Sequence, residues 1–189
     1  PKVVAAFKRA ADEYGVGAGA SHLVVGHHHE HELLEQKIAT FTGRDRALLF
    51  SSGYMANVGA LSALMQKQDA IFLDKLNHAS IVDGAFASVG SSYRYRHSDT
   101  AHLERLLASK SFDQACIVTD SVFSMDGDLA PLNELAEIAS SKGCLLFVDD
   151  AHGFGVLGES GAGAAEHFSL TQQQLPILMG TLGKAVGVS

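Results

Sequence analysis

Apolar residues in this chain form short runs that alternate with longer stretches of helical spacing. Val3, Val4, Phe7, Ala10, Ala11 and Tyr14 recur near helical intervals, and Gly15 follows as a stop. Residues 15–21, Gly-Val-Gly-Ala-Gly-Ala-Ser, read as a glycine-rich loop. A second helix is predicted over 31–41, with Leu33, Leu34, Ile38 and Phe41 on one face and Gly43 ending it. Residues 47–50 read as a short strand feeding Ser51-Ser52-Gly53, and the helix after it carries Met55, Val58, Leu61, Leu64 and Met65. A strand at 70–73, a helix over 78–89 and a strand at 92–96 follow. Thr100 is placed as the cap of a helix reaching Leu107, with Glu104 near its first turn. A strand at 115–119 precedes a helix over 131–140 that opens on Pro131. The last two strands are predicted at 144–148 and 177–179.

Strands alternating with helices, each strand a short apolar run, predict an α/β fold: three layers, α/β/α, around a mostly parallel sheet buried on both faces. Functional groups in such sheets gather beyond the carboxyl ends of the strands. Ser52, Ser124, Asp149 and Thr181 all lie past a predicted strand end.

Composition narrows the function classes. The 189 residues suffice for one sizeable core, and 47% hydrophobic with 19% charged residues describes an ordinary globular chain. A formal charge of −7 does not suit a nucleic-acid surface. No apolar stretch approaches the span of a bilayer, and no charged-then-apolar leader opens the chain. Cys116 and Cys144 lie in strand-like runs and read as buried thiols of a reducing cytosol, with a disulfide left open. Both ends look cut: there is no initiator Met, and Ala185 to Ser189 lead into no terminating element. The expectation is the middle of a longer polypeptide, although a processed chain would look the same.

The candidate chemistry sits after the last two strands. The run Cys144 to Val148 ends in Asp149-Asp150-Ala151-His152-Gly153, and the run Leu175 to Met179 leads into Gly180-Thr181-Leu182-Gly183-Lys184-Ala185. An Asp-x-x-His after one strand and a glycine-flanked lysine after another match what pyridoxal phosphate (PLP) requires. A lysine forms an imine with the cofactor, and a carboxylate keeps the pyridine nitrogen protonated. Taken singly, Asp149 reads as well as a turn residue, and an exposed lysine is common. Thr181 is a candidate phosphate hydroxyl. Gly53 and its neighbours start a helix, where free amides bind phosphate, though Ser52 could simply cap it. His78 opens another helix and could stack on a flat ring or serve as a cap. Ser124 could contact a ring oxygen, and Asp126-Gly127-Asp128 beside it reads as a turn.

Two other patterns point elsewhere. His27 and His31 have i, i+4 spacing, but His-Glu-x-x-His is absent because Leu33 stands four residues after His29. Two ligands without a third favour a solvated helix start, and no metal is expected. Gly17-x-Gly19 follows a helix and lacks a third glycine, so it is not read as a dinucleotide fingerprint.

Six segments in order change the weight of each one. Gly-Ala-Gly-Ala-Ser at 17–21, Ser-Gly-Tyr-Met-Ala-Asn at 52–57, Asn-His-Ala-Ser at 77–80, Phe-Ser-Met-Asp-Gly at 123–127, Asp-Asp-Ala-His-Gly at 149–153 and Gly-Thr-Leu-Gly-Lys-Ala at 180–185 resemble the α-oxoamine synthase family of fold-type I PLP enzymes. The resemblance covers nearly the whole chain and implies the roles. Lys184 would hold PLP and transfer protons, and His78 would stack on the ring. Asp149 would pair with the pyridinium, with His152 and Ser124 near the phenolic oxygen. The Gly53 and Tyr54 amides and the Thr181 hydroxyl would hold the phosphate. Within the family, Ala20-Ser21-His22-Leu23-Val24, Tyr54 and Ala151 favour the member that condenses L-alanine with a pimeloyl thioester over glycine C-acetyltransferase. The resemblance also implies a cytoplasmic homodimer. The chain would be the major part of the PLP-binding large domain, lacking an N-terminal segment and a small C-terminal domain, and inactive at this length. From other classes, a non-catalytic α/β binding module and a metal-binding domain on the histidines remain as alternatives.

Overall fold

The computed structural model describes residues 2–188, which divide into two units, 2–49 and 50–188. The first unit holds helix α1 (Lys2–Tyr14), a π-helical turn (His22–Gly26) and helix α2 (His29–Thr42). Gly43 ends α2 in the left-handed region (φ 66°), and its N–H closes back on the last helical carbonyls. The helix starts two residues earlier than its apolar face indicates, because His28 caps it and His31 Nδ1 accepts from the His28 N–H at 3.0 Å. Residues 47–50 are not a strand. A strand needs a neighbour for its N–H and C=O groups, and the Leu49 N–H instead donates to Glu35 Oε1 at 2.9 Å.

In the second unit five parallel strands form one sheet in the order β2-β1-β3-β4-β5. They are β1 (Ala70–Asp74), β2 (Ser91–Tyr95), β3 (Ala115–Asp120), β4 (Leu145–Asp149) and β5 (Ile177–Met179). Helix α3 (Gly53–Leu64) precedes β1, and α4 (Ala79–Ala87), α5 (Thr100–Ser109), α6 (Leu132–Lys142) and α7 (Ala164–His167) form the crossovers. Alternate strand residues feed opposite faces. Phe72, Ile117, Leu146 and Val148 pack with Leu103 and Leu107 of α5, Leu132 and Leu135 of α6, and Ala164 of α7. Ile71, Leu73, Cys116, Val118 and Phe147 pack with Leu61 of α3 and Ile81 and Ala85 of α4. The result is the three-layer α/β/α arrangement. Both cysteines are free thiols.

The cap of α5 also differs from its sequence reading. Asp99, not Thr100, caps α5 by accepting from the His102 N–H at 2.7 Å, and the Thr100 hydroxyl donates to Glu134. A carboxylate one residue earlier outcompetes the hydroxyl because its charge adds to the hydrogen bond at the helix N-terminus.

The connection β1–α4–β2 runs toward one edge of the sheet, whereas β3–α6–β4 and β4–α7–β5 run toward the other on the opposite face. The winding therefore reverses between β1 and β3, and the crevice beyond their carboxyl ends is where such sheets take ligands. Three strands end there on buried aspartates: Asp74, Asp120 and Asp149.

Candidate active site

The loop after β1 is sewn onto β3. Asn77 donates to the Val118 carbonyl at 2.9 Å and accepts from the Asp120 N–H at 3.2 Å. The His78 N–H donates to Asp120 Oδ2 at 2.9 Å. These bonds set His78 at the crevice, with its ring exposed at the start of α4.

Asp149 is buried at the end of β4. Its Oδ2 accepts from Asn57 Nδ2 at 2.7 Å and its Oδ1 from the Ala151 N–H at 3.0 Å. Asn57 also donates to Ser80 Oγ at 2.8 Å, and Ser80 Oγ lies 2.7 Å from His78 Nδ1. A continuous hydrogen-bonded chain thus joins β4, α3 and α4. Local spacing did not single out Asn57 or Ser80, although both lie in segments that carry the resemblance. Asp120 was also missed; it follows a predicted strand as Asp149 does, and that signal could have found it.

Lys184 and His152, 32 residues apart, meet with Nζ 3.0 Å from Nε2. Burial and then the Lys184 charge hold the His152 imidazole below its ordinary value, so the ring is neutral near pH 7. The lysine segment can approach this closely because glycine removes side chains in its way. A Cβ at Gly180 would stand 3.3 Å from the Phe154 ring, and one at Gly155 would stand 2.8 Å from Ala185 Cβ.

The adjacent Asp150 faces the other way. Its oxygens accept from Ser121 Oγ at 2.6 Å and the Ala164 N–H at 2.9 Å. A Cβ at Gly153 or Gly163 would collide with this carboxylate. Burial lifts Asp150 to about 6, and burial followed by the Asp149 charge lifts Asp120 to about 7.

The remaining predicted residues lie around this cluster. Ser52 Oγ caps α3 by accepting from the Met55 N–H at 3.2 Å, and Gly53 is the first helical residue. The Tyr54 hydroxyl donates to Asp83 at 2.8 Å. Thr181 Oγ1 accepts from the Gly183 N–H at 3.2 Å, which leaves its own proton for another acceptor. Ser124 is exposed on the turn after β3, where Phe123 N–H pairs with the Asp128 carbonyl. Among the described residues no hydrogen bond joins Ser124 to the cluster.

In the first unit the π-helical turn brings a third histidine to the pair read from the sequence. Ring nitrogens of His22, His27 and His31 lie within 4.8 Å of one another. His31 Nδ1 is already an acceptor for the His28 N–H, so its ring proton sits on Nε2. His22 and His27 share a hydrogen bond between their Nδ1 atoms at 3.3 Å, so one of these nitrogens donates and the other accepts.

The model of the aminotransferase class I and II family matches residues 1–189. The 8-amino-7-oxononanoate synthase of Hahella chejuensis is 54% identical over 189 residues, which is 100% of this chain and 48% of that protein. Among solved structures, a serine palmitoyltransferase variant from S. paucimobilis with a bound PLP–myriocin aldimine matches with a TM-score of 0.95 and 36% identity. That match covers 100% of this chain and 47% of the other. The 8-amino-7-oxononanoate synthase of Francisella tularensis matches with a TM-score of 0.81 and 38% identity, over 95% of this chain and 49% of the other. The chain spans about half the length of the curated relatives it matches.

Proposed function

Because the chain belongs to the class I and II aminotransferase family, we propose that it is the major part of the PLP-binding large domain of an 8-amino-7-oxononanoate synthase. The proposed reaction condenses L-alanine with a pimeloyl thioester, with loss of carbon dioxide, in biotin biosynthesis. The observation that carries the reading is the convergence of Asp149, His78, His152 and Lys184 beyond the carboxyl ends of the strands. The relatives named for this activity support the choice of reaction.

The residues present fit PLP. Asp149 offers a buried carboxylate to a protonated ring nitrogen, and the His78 ring is exposed for stacking. The free amides at the start of α3, at Gly53 and Tyr54, and the Thr181 hydroxyl suit a phosphate. When bound, PLP supplies an electron sink that makes the C–H bond next to the amino acid's nitrogen acidic. Lys184 Nζ would be the attachment point and then the base for that proton. The neutral His152 Nε2 accepts from Nζ and holds the amine in place. On the resemblance, Ser124 and His152 would lie near the cofactor's phenolic oxygen. The cytoplasmic homodimer is proposed on the resemblance alone. Among the described residues no helix is long and apolar enough to cross a membrane.

A second reading, another α-oxoamine synthase such as glycine C-acetyltransferase, draws on the close match to a serine palmitoyltransferase. Full-length protein, reconstituted with PLP and given alanine, glycine or serine with pimeloyl-CoA, separates the readings by the mass of the product. Alanine is expected to give the nine-carbon amino ketone. Lys184→Ala is expected to abolish both the visible band of lysine-bound cofactor and turnover. A band that survives the substitution sinks the assignment of Lys184.

A further inference from the structure

We infer that Asn57 is a positioning residue that sets both partners of the cofactor ring, the Asp149 carboxylate and the His78 imidazole, through one side-chain amide; the inference rests on the PLP reading above. Asn57 is fully buried on α3, and its two amide protons go to two other elements. One is donated to Asp149 Oδ2 at the end of β4 (2.7 Å), the other to Ser80 Oγ in the first turn of α4 (2.8 Å). The amide has one workable orientation. Turned over, its carbonyl would face the Asp149 carboxylate, oxygen against oxygen.

The direction of donation then propagates. Ser80 Oγ accepts from Asn57 and so has its own proton for His78 Nδ1, 2.7 Å away. The Ser80 N–H points at the same nitrogen from 3.2 Å. Two donors at Nδ1 leave the imidazole proton on Nε2 and restrain the plane of the ring. Asn57 therefore braces the charge under the ring nitrogen and, two bonds away, the face of the stacking histidine.

An unpartnered atom supports a functional role. Asn57 Oδ1 is buried and has no hydrogen-bond partner. An unmatched buried carbonyl is unfavourable. A side chain kept only for packing has no reason to tolerate it, whereas a site that needs both N–H groups on one side does.

Like charges press on the same carboxylate. Asp120 at the end of β3 and Asp150 next in the chain both feel Asp149, and His152, which also faces it, feels Lys184 and His78. The donated proton from Asn57 stabilises the Asp149 charge against the two neighbouring aspartates. With this many charged groups nearby, the informative quantity is a difference between variant and wild type.

The test uses full-length protein reconstituted with PLP, comparing wild type with Asn57→Ala, Ser80→Ala and the double variant. Three quantities are read: the pH midpoint of the visible band of lysine-bound cofactor, kcat, and KM for the amino acid. Asn57→Ala is expected to move the midpoint and to lower kcat about 10- to 100-fold, the usual loss when the hydrogen bond behind a ligating group is removed. KM should change far less. Ser80→Ala, which leaves the bond to Asp149 intact, should lower kcat less and move the midpoint less. The double variant should be little worse than Asn57→Ala alone, because both substitutions cut one chain. A folded Asn57→Ala protein with wild-type midpoint and kcat overturns the inference, whatever its thermal stability. If Asn57→Ala does not fold, a wild-type midpoint and kcat in Ser80→Ala overturns it. Wild-type protein that forms no visible band with PLP overturns the cofactor reading itself, and this inference with it.

Discussion

In α1 the apolar residues Val3, Val4 and Phe7 are all exposed, Phe7 with 73% of its surface in solvent. In α3, a helix of similar length, Leu61 is fully buried, and Met65 just beyond it is nearly so. Both helices follow from apolar spacing, yet α1 buries none of its residues while α3 helps cover a sheet. The difference teaches that periodicity specifies a helix without specifying what its apolar face meets. It also separates two kinds of stability. The sheet unit carries a core of its own, whereas α1 has no fully buried residue, with only Ala10, Ala11 and Tyr14 half-buried.

Substitutions can break this contrast. The largest effect is expected at Phe147, packed against α3 and α4, where Phe147→Ala should destabilise the sheet unit by about 3–5 kcal/mol in urea denaturation. A loss under about 1 kcal/mol would mean that the core between sheet and helices is much looser than its burial implies.

Second in size is a pH dependence confined to the sheet unit. Asp150 is lifted to about 6 and Asp120 to about 7, both by burial first. The fold therefore keeps protons on these groups that the unfolded chain has already released. Their contribution to stability is fully present below about pH 4 and is lost as pH rises through both folded values. Raising the pH from about 4 to about 8 should remove a few kcal/mol through these two groups. Asp120→Asn and Asp150→Asn should flatten the profile, and a wild-type stability that climbs over this range contradicts the assignment.

Ser52→Ala removes the cap of α3 and should weaken the unit by about 1 kcal/mol. The smallest effect tests the other side of the comparison. Phe7→Ala should change stability by no more than about 0.5 kcal/mol, since there is little burial to lose. A larger loss at Phe7 than at Phe147 would invert the contrast.

The candidate site was legible to different depths for similar reasons. Asp149, His152, Thr181 and Lys184 could be placed by their position after strand-like runs. Asn57 could not, because nothing local marks its role until its partner, 92 residues away, is known. Ser80 read as part of a helix start for the same reason. His22 was missed because the π-helical turn that carries it toward His27 and His31 leaves no periodic signature in five residues. The strand expected at 47–50 failed in the opposite sense: its residues have the composition of a strand, but pairing is a property of two segments, and here the Leu49 N–H goes to a carboxylate.

The sequence by itself determined the alternation of strand and helix, the two-faced burial of the strands and the set of residues at their carboxyl ends. These are local consequences of apolar period and turn chemistry. Only the tertiary structure decided the strand order, the reversal of winding between β1 and β3, and the chain from Asn57 through Ser80 to His78. Those depend on which strands become neighbours, and hydrogen bonds between residues far apart in sequence exist only once the sheet has brought their ends together.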